Sequence, residues 1–140
     1  MAESSRCPFC SPGERTLKSN ALAVVVLSNP RKVPGHFLVI PKRHVEKPWE
    51  LKPRERKDVF DLILEVQQKV VAHLGSGSDM RQHYRPFLPQ SRIKVDHLHY
   101  HVYPRERDDT LYQHVEKHET ALFEDLTREE RNRVAEILGT

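Results

Sequence analysis

Between Val95 and Arg105 the chain reads VDHLHYHVYPR, in which histidines alternate with Leu98, Tyr100 and Val102 at every second position. A helix would scatter a period of two around its surface. A strand sends successive side chains to opposite faces, so His97, His99 and His101 are predicted on one face and the apolar residues on the other. The segment therefore reads as a strand that packs on one side and carries imidazoles on the other. Three readings fit such a row: metal ligation, phosphoryl chemistry, or polar residues facing water.

For metal ligation, a His-x-His pair can hold one zinc ion, but the first and third histidines would lie about 13 Å apart at roughly 3.3 Å per residue. Asp96 points to the opposite face. For phosphoryl chemistry, an imidazole attacks phosphorus to form a phosphoramidate that water then opens. Flanking imidazoles on the same face supply hydrogen bonds to the nonbridging oxygens, where charge develops. Of the nine histidines, His73, His114 and His118 read as surface or capping residues, and His83 carries no assigned role. His36 follows Pro34-Gly35, and His44 follows Pro41-Lys42-Arg43.

Elsewhere the pattern gives an ordered set of elements. ALAVVVL, Ala21 to Leu27, is a continuous β-branched run that reads as a buried strand, broken by Ser28-Asn29-Pro30. HFLVIP gives a second strand, His36 to Ile40, antiparallel to the first. From Pro53 the positions Val59, Leu62, Ile63, Val66, Val70 and Leu74 follow helical spacing, and GSGS stops the helix. Arg81 to Phe87 is predicted as a further strand. The tail is predicted helical over 111–123 and again over 127–138, where Thr127 and Glu130 are spaced as a capping box. There is no βαβ rhythm and no Gly-rich phosphate loop. The expectation is an α+β domain: an antiparallel meander of about five strands, one long helix packed on it, and C-terminal helices.

The chain of 140 residues has a net charge of +3, with both signs interleaved in PRERKD and TREERNR. That suits solvated helix faces rather than a nucleic-acid patch, so nucleic acid is not an expected partner. No apolar run reaches membrane-spanning length, and MAESSRCPFC carries no apolar signal region, so a cytoplasmic location is expected. There a structural disulfide between the two cysteines, spaced Cys7-Pro-Phe-Cys10, is not expected. The pair reads as half a zinc site, a redox CxxC or free thiols; redox CxxC motifs normally open a helix after a strand, and no strand precedes this one.

PGHFLVIPKRH, Pro34 to His44, followed by HLHYHVYPR, His97 to Arg105, resembles the histidine triad (HIT) family of nucleotide hydrolases and transferases. CPFC resembles the zinc-binding subset of that family. The resemblance implies His99 as the nucleophile on the α-phosphate, giving a nucleotidyl-histidine intermediate. His101 would donate to a phosphate oxygen or the leaving group, and His36 would be a further phosphate-side contact. Cys7, Cys10, His44 and His97 would complete a closed, structural zinc site. Ser28 and Asn29 fall where relatives contact the ribose. Gln90 and Ser91, shifted out of the family's register, and Arg92 are the nearest counterparts of its phosphate contacts.

The implied substrate is a nucleoside 5′-phosphate derivative, with adenine or another purine as base: a dinucleoside polyphosphate, a phosphoramidate or a nucleotidyl ester. Hydrolysis is favoured over nucleotidyl transfer or phosphorolysis, because the third triad position is His101. A nucleotide-binding scaffold and a zinc-stabilised nucleic-acid binder are the readings from other classes. A homodimer is also implied. The whole chain, 1–140, is expected to be one domain with a zinc-knuckle N-terminus (1–20), a core (21–105) and a helical tail (106–140).

Overall fold

The computed structural model describes residues 7–139. Five strands, β1 (Thr16–Ser19), β2 (Ala23–Leu27), β3 (Phe37–Pro41), β4 (Gly77–Arg81) and β5 (Tyr100–Arg105), form one antiparallel sheet ordered β1-β2-β3-β5-β4. The long helix α1 (Pro53–His73) connects β3 to β4. Proline at its first turn needs no donor, and the Glu55 carboxylate accepts the N–H of Lys52 at 2.8 Å, satisfying a group the helix leaves open.

The period-two pattern builds a sheet with two different faces. Val25, Val39, Tyr100 and Val102 pack with Val59, Leu62, Ile63, Val66 and Val70 of α1. On the opposite face Val24, Val26, Leu38 and Ile40 are buried under Phe9, with Cys7 and Val95 against them. Leu38 is paired directly with His101, so the triad face is the one the N-terminal knuckle covers. Leu98 belongs to the helix-side core although it lies outside β5. The predicted alternation through the histidine row therefore holds.

Three strands depart most from their predicted places. The strand expected over 81–87 is β4, Gly77–Arg81, and it begins inside the GSGS that ends the helix. Gly75 makes this approach feasible: a Cβ there would lie 3.0 Å from the carbonyl oxygen of Arg105. Residues 82–87 carry no strand. β1 lies within the stretch expected to be only a knuckle. The histidine strand starts at Tyr100 rather than Val95, because the Leu98 N–H bonds to the Val45 carbonyl at 2.6 Å instead of joining the ladder.

Residues up to Arg107 form one compact unit and those from Asp108 a second. The second unit holds α2 (Thr110–His114), capped by Asp109, a 3-10 segment at Glu116–Leu122, and α3 (Arg128–Leu138). The helix expected over 111–123 is thus split. The predicted Thr127 cap is present, accepting from the Glu130 N–H at 3.1 Å. Among the described residues, no helix is long and apolar enough to cross a membrane.

Candidate active site and metal centre

At one end of the histidine row, Cys7, Cys10, His44 and His97 bring one ligand atom each to within 4.8 Å of one another. Cys7 Sγ lies 3.3 Å from His97 Nδ1, and Cys10 Sγ lies 3.2 Å from His44 Nδ1 and 3.5 Å from His97 Nδ1. Ligand-to-ligand spacings of roughly 3.4–3.8 Å follow from tetrahedral geometry with Zn–S near 2.3 Å and Zn–N near 2.1 Å, so this donor set fits zinc with little adjustment. His97 is 1% exposed, and its Nε2–H donates to the Pro41 carbonyl at 2.8 Å, which directs Nδ1 at the thiols. Burial and the neighbouring Cys7 push the Cys10 thiol up to about 11. A metal ion at this point would draw that proton off.

Toward the other end, the hydrogen bonds fix where each imidazole carries its proton. The Lys32 backbone N–H donates to His36 Nδ1 at 3.2 Å, so the His36 proton is on Nε2. That Nε2–H donates to His101 Nδ1 at 2.8 Å, which leaves the His101 proton on Nε2. His99 Nδ1–H donates to the His97 carbonyl at 2.7 Å, leaving an unshared electron pair on His99 Nε2. Burial pushes His36 down to about 4, helped by Lys32 and His99. Burial also pushes His101 far below the ordinary histidine range, with His99 and His36 adding to the effect. His99 is lowered by burial against the opposing pull of the His97 carbonyl. All three rings are therefore neutral at pH 7, as an imidazole nucleophile and its hydrogen-bonded neighbours require.

Local backbone chemistry sets this geometry. Gly35 has φ +79°, and a Cβ there would sit 3.0 Å from Pro104 Cγ, so glycine lets His36 approach the end of β5. The Ser28 N–H bonds to the His36 carbonyl at 2.8 Å, while the Ser28 hydroxyl donates to the Pro30 carbonyl at 2.8 Å. Asn29 is exposed beside it.

Gln90 and Ser91 are engaged in local hydrogen bonds, and none of Gln90, Ser91 and Arg92 lines the cleft beside His99. Gln90 Oε1 accepts the Asp96 N–H at 2.9 Å, Ser91 Oγ accepts the Ile93 N–H at 3.2 Å, and Arg92 is exposed. Instead, His83, Tyr84, Arg85 and Lys94 line an open cleft of about 120 Å³ with His99. The ring of His83 lies 5.4 Å from that of His101. No local pattern in RQHYRP distinguishes His83, and its place follows from β4 ending at Arg81, opposite His101. Phe9, buried between the two cysteines, meets His99 edge-on at 5.1 Å. That contact, too, is absent from the sequence reading.

Residues 12–108 match the model of the HIT domain family. The chain is 34% identical over 92 residues to an asymmetrical bis(5′-nucleosyl)-tetraphosphatase of Schizosaccharomyces pombe, covering 62% of this chain and 50% of that protein. It is 30% identical over 96 residues to an adenosine 5′-monophosphoramidase of the same organism, covering 66% of this chain and 65% of that protein. The chain thus spans half to about two thirds of the length of these relatives. Among solved structures, a zinc-bound histidine triad family protein of Mycobacterium smegmatis superposes with a TM-score of 0.58 at 23% identity, over 93% of this chain and 90% of that one. The sheet, the triad face and the family match together make this chain a member of the histidine triad (HIT) family.

Proposed function

We propose that the chain is a nucleotide hydrolase acting at the α-phosphate of a nucleoside 5′-phosphate derivative, with adenine or another purine as the base. The proton network carries this reading: His99 offers an unprotonated Nε2, and His101, held by the His36 Nε2–H at its Nδ1, keeps its own N–H on Nε2. His99 Nε2 attacks the α-phosphorus, the bond from phosphorus to the leaving oxygen or nitrogen breaks, and His101 Nε2–H donates to the departing atom. Water then attacks the nucleotidyl-His99 phosphorus, the N–P bond breaks, and the nucleoside monophosphate leaves. The water's proton returns the histidine pair to its starting state. His36 holds His101 in the competent tautomer through its own bond to the Lys32 N–H.

Two of the curated relatives are named as nucleotide hydrolases, and they differ in leaving group. Hydrolysis is preferred here to nucleotidyl transfer, because His101 provides a proton donor at the third triad position. Cys7, Cys10, His44 and His97 are proposed to hold a structural zinc. Such a closed set leaves no position for substrate, so the metal's contribution is to fix the knuckle over the sheet. Ser28 and Asn29, at the end of β2 behind His36, are proposed on the ribose side. By family likeness the working form is proposed to be a homodimer in the cytoplasm.

The test is turnover of adenosine 5′-phosphoramidate and diadenosine tetraphosphate by wild type and His99→Ala, with nucleotide added as an alternative acceptor. The expected result is monophosphate release by wild type, and a loss on the order of 10³-fold or more in His99→Ala. Equal rates in the two proteins would remove His99 from the reaction. A nucleotidylated acceptor as main product would establish transfer in place of hydrolysis.

A further inference from the structure

Beyond His101 the triad face continues into a group of cations that the reaction above does not use. The β4–β5 register sets Arg81 opposite His101 and Asp79 opposite Tyr103. The Tyr103 ring stacks on His101 at 5.9 Å with an interplanar angle of 10°, and lies 4.5 Å from His36. Over that ring sit the Lys32 ammonium, 5.9 Å from the centroid, and the Arg81 guanidinium at 5.5 Å. Arg85 follows on the loop after β4 and lines the cleft with His83 and His99. Lys32 and Arg81 thus meet over Tyr103, and Arg85, four residues beyond Arg81, lines the cleft that His83 shares with His99.

Gathering like charges costs free energy. The Lys32 ammonium is pushed below the ordinary lysine range by partial burial first, with Arg81 and Arg85 adding to the effect. Asp79 meets both Arg81 at 3.1 Å and Arg105 at 2.5 Å, so one carboxylate is shared between two guanidiniums. Cations kept only for solubility would spread apart. Cations converging next to a phosphate-handling histidine are arranged for more negative charge than one α-phosphate brings.

We propose that Lys32, Arg81 and Arg85 form a subsite for the phosphates beyond the scissile bond, selecting substrates with a polyphosphate leaving group over those leaving as a neutral amine. The inference rests on the hydrolase reading for its place in the reaction: the cluster lies against His101, the residue placed at the leaving atom. It assigns to Lys32, Arg81 and Arg85 the role that the sequence reading had given to Arg92.

The experiment compares kcat/KM for diadenosine tetraphosphate and adenosine 5′-phosphoramidate in wild type, Lys32→Met, Arg85→Met and the double variant. Both side chains are exposed, so the substitutions leave the core intact. The tetraphosphate-to-phosphoramidate ratio is expected to fall about tenfold in each single variant and on the order of 100-fold in the double. Raising the salt concentration is expected to lower the ratio in wild type more than in the double variant. A ratio in the double variant within twofold of wild type overturns the subsite and leaves the hydrolase reading standing. Titration of inorganic tripolyphosphate onto wild type and the double variant tests the subsite without catalysis. Binding at least tenfold weaker in the double variant supports it even if wild type turns over neither substrate, whereas equal binding overturns it.

Discussion

The ring of Phe9 meets the imidazole of His99 edge-on, with centroids 5.1 Å apart and planes at 78°. The same ring reaches His97 at 6.2 Å, and Phe9 is 6% exposed. A residue between two candidate metal ligands therefore packs against the ring of the proposed nucleophile. An edge-to-face pair contributes about 0.5–1.5 kcal/mol beyond its buried area, so its loss at a reacting group corresponds to roughly a two- to thirteenfold fall in rate. Phe9→Leu is expected to lower kcat by that amount with KM changed less than twofold, and Phe9→Tyr to retain most of the wild-type kcat. A purely structural Phe9 would instead lower the melting temperature in Phe9→Leu and leave kcat untouched.

The metal site makes a separate demand on stability. A metal held by the proposed Cys7, Cys10, His44 and His97 set would link the knuckle to β3 through the His97–Pro41 bond, so its binding would contribute folding free energy. Elemental analysis of protein prepared without chelators is expected to find about one zinc per chain. Chelation, or Cys10→Ser, is expected to lower the melting temperature on the order of 10 °C. Folded wild-type protein with no bound metal, or an unchanged melting temperature after chelation, would remove the zinc assignment.

The buried histidines set a pH dependence with a defined sign. His36 titrates near 6.5 in an unfolded chain and near 4 in the fold, and burial moves His101 in the same direction. Between these values the unfolded chain binds protons that the folded chain does not. The stability these groups contribute is therefore fully present above about pH 6.5 and is lost as pH falls toward 4. Urea midpoints of zinc-saturated protein are expected to be lower at pH 5 than at pH 7.5, with a smaller difference in His36→Asn. A midpoint that rises on acidification contradicts the neutral-imidazole network.

How much of this was legible in the sequence depends on how locally each feature is encoded. The histidine row, CPFC and PKRH carry residue types that announce their chemistry, and alternation alone assigned the triad face. The assembly of Cys7 and Cys10 with His44 and His97 needs the sheet, since the N-terminal and C-terminal halves of the set meet only across it. β1 was hidden because TLKS offers a single large apolar residue, and its pairing to β2 is what makes it a strand. β4 was hidden because its sequence, GSDMR, reads as a helix stop followed by polar residues. With β4 misplaced, the positions of Arg81 and His83 beside His101 could not be inferred. Gln90, Ser91 and Arg92 stand near the triad in sequence, yet the turn engages Gln90 and Ser91 locally and leaves Arg92 exposed.

An ion pair holds the turn that carries His44. Arg43 binds Glu55 through two bonds, Nε to Oε2 at 2.9 Å and Nη2 to Oε1 at 2.7 Å, and a further Nη2 bond reaches the Glu50 carbonyl at 3.0 Å. Glu55 is 5% exposed, and its carboxyl lies below the usual range chiefly because of Arg43. This pair ties the turn that carries His44 to the first turn of α1. Removing the guanidinium leaves a buried carboxylate with the Lys52 N–H as its remaining partner in this network. Breaking a buried pair costs about 3–5 kcal/mol, but Arg43 is itself 43% exposed, so solvent screening reduces the expected loss to about 1–2 kcal/mol. Arg43→Ala is expected to lower stability by that amount and to weaken metal retention through His44. Arg43→Lys, which keeps the charge without the two-pronged geometry, is expected to recover less than half of the loss. Denaturant unfolding read beside zinc content checks both, and full recovery by lysine would show that charge, rather than the guanidinium fork, holds the turn.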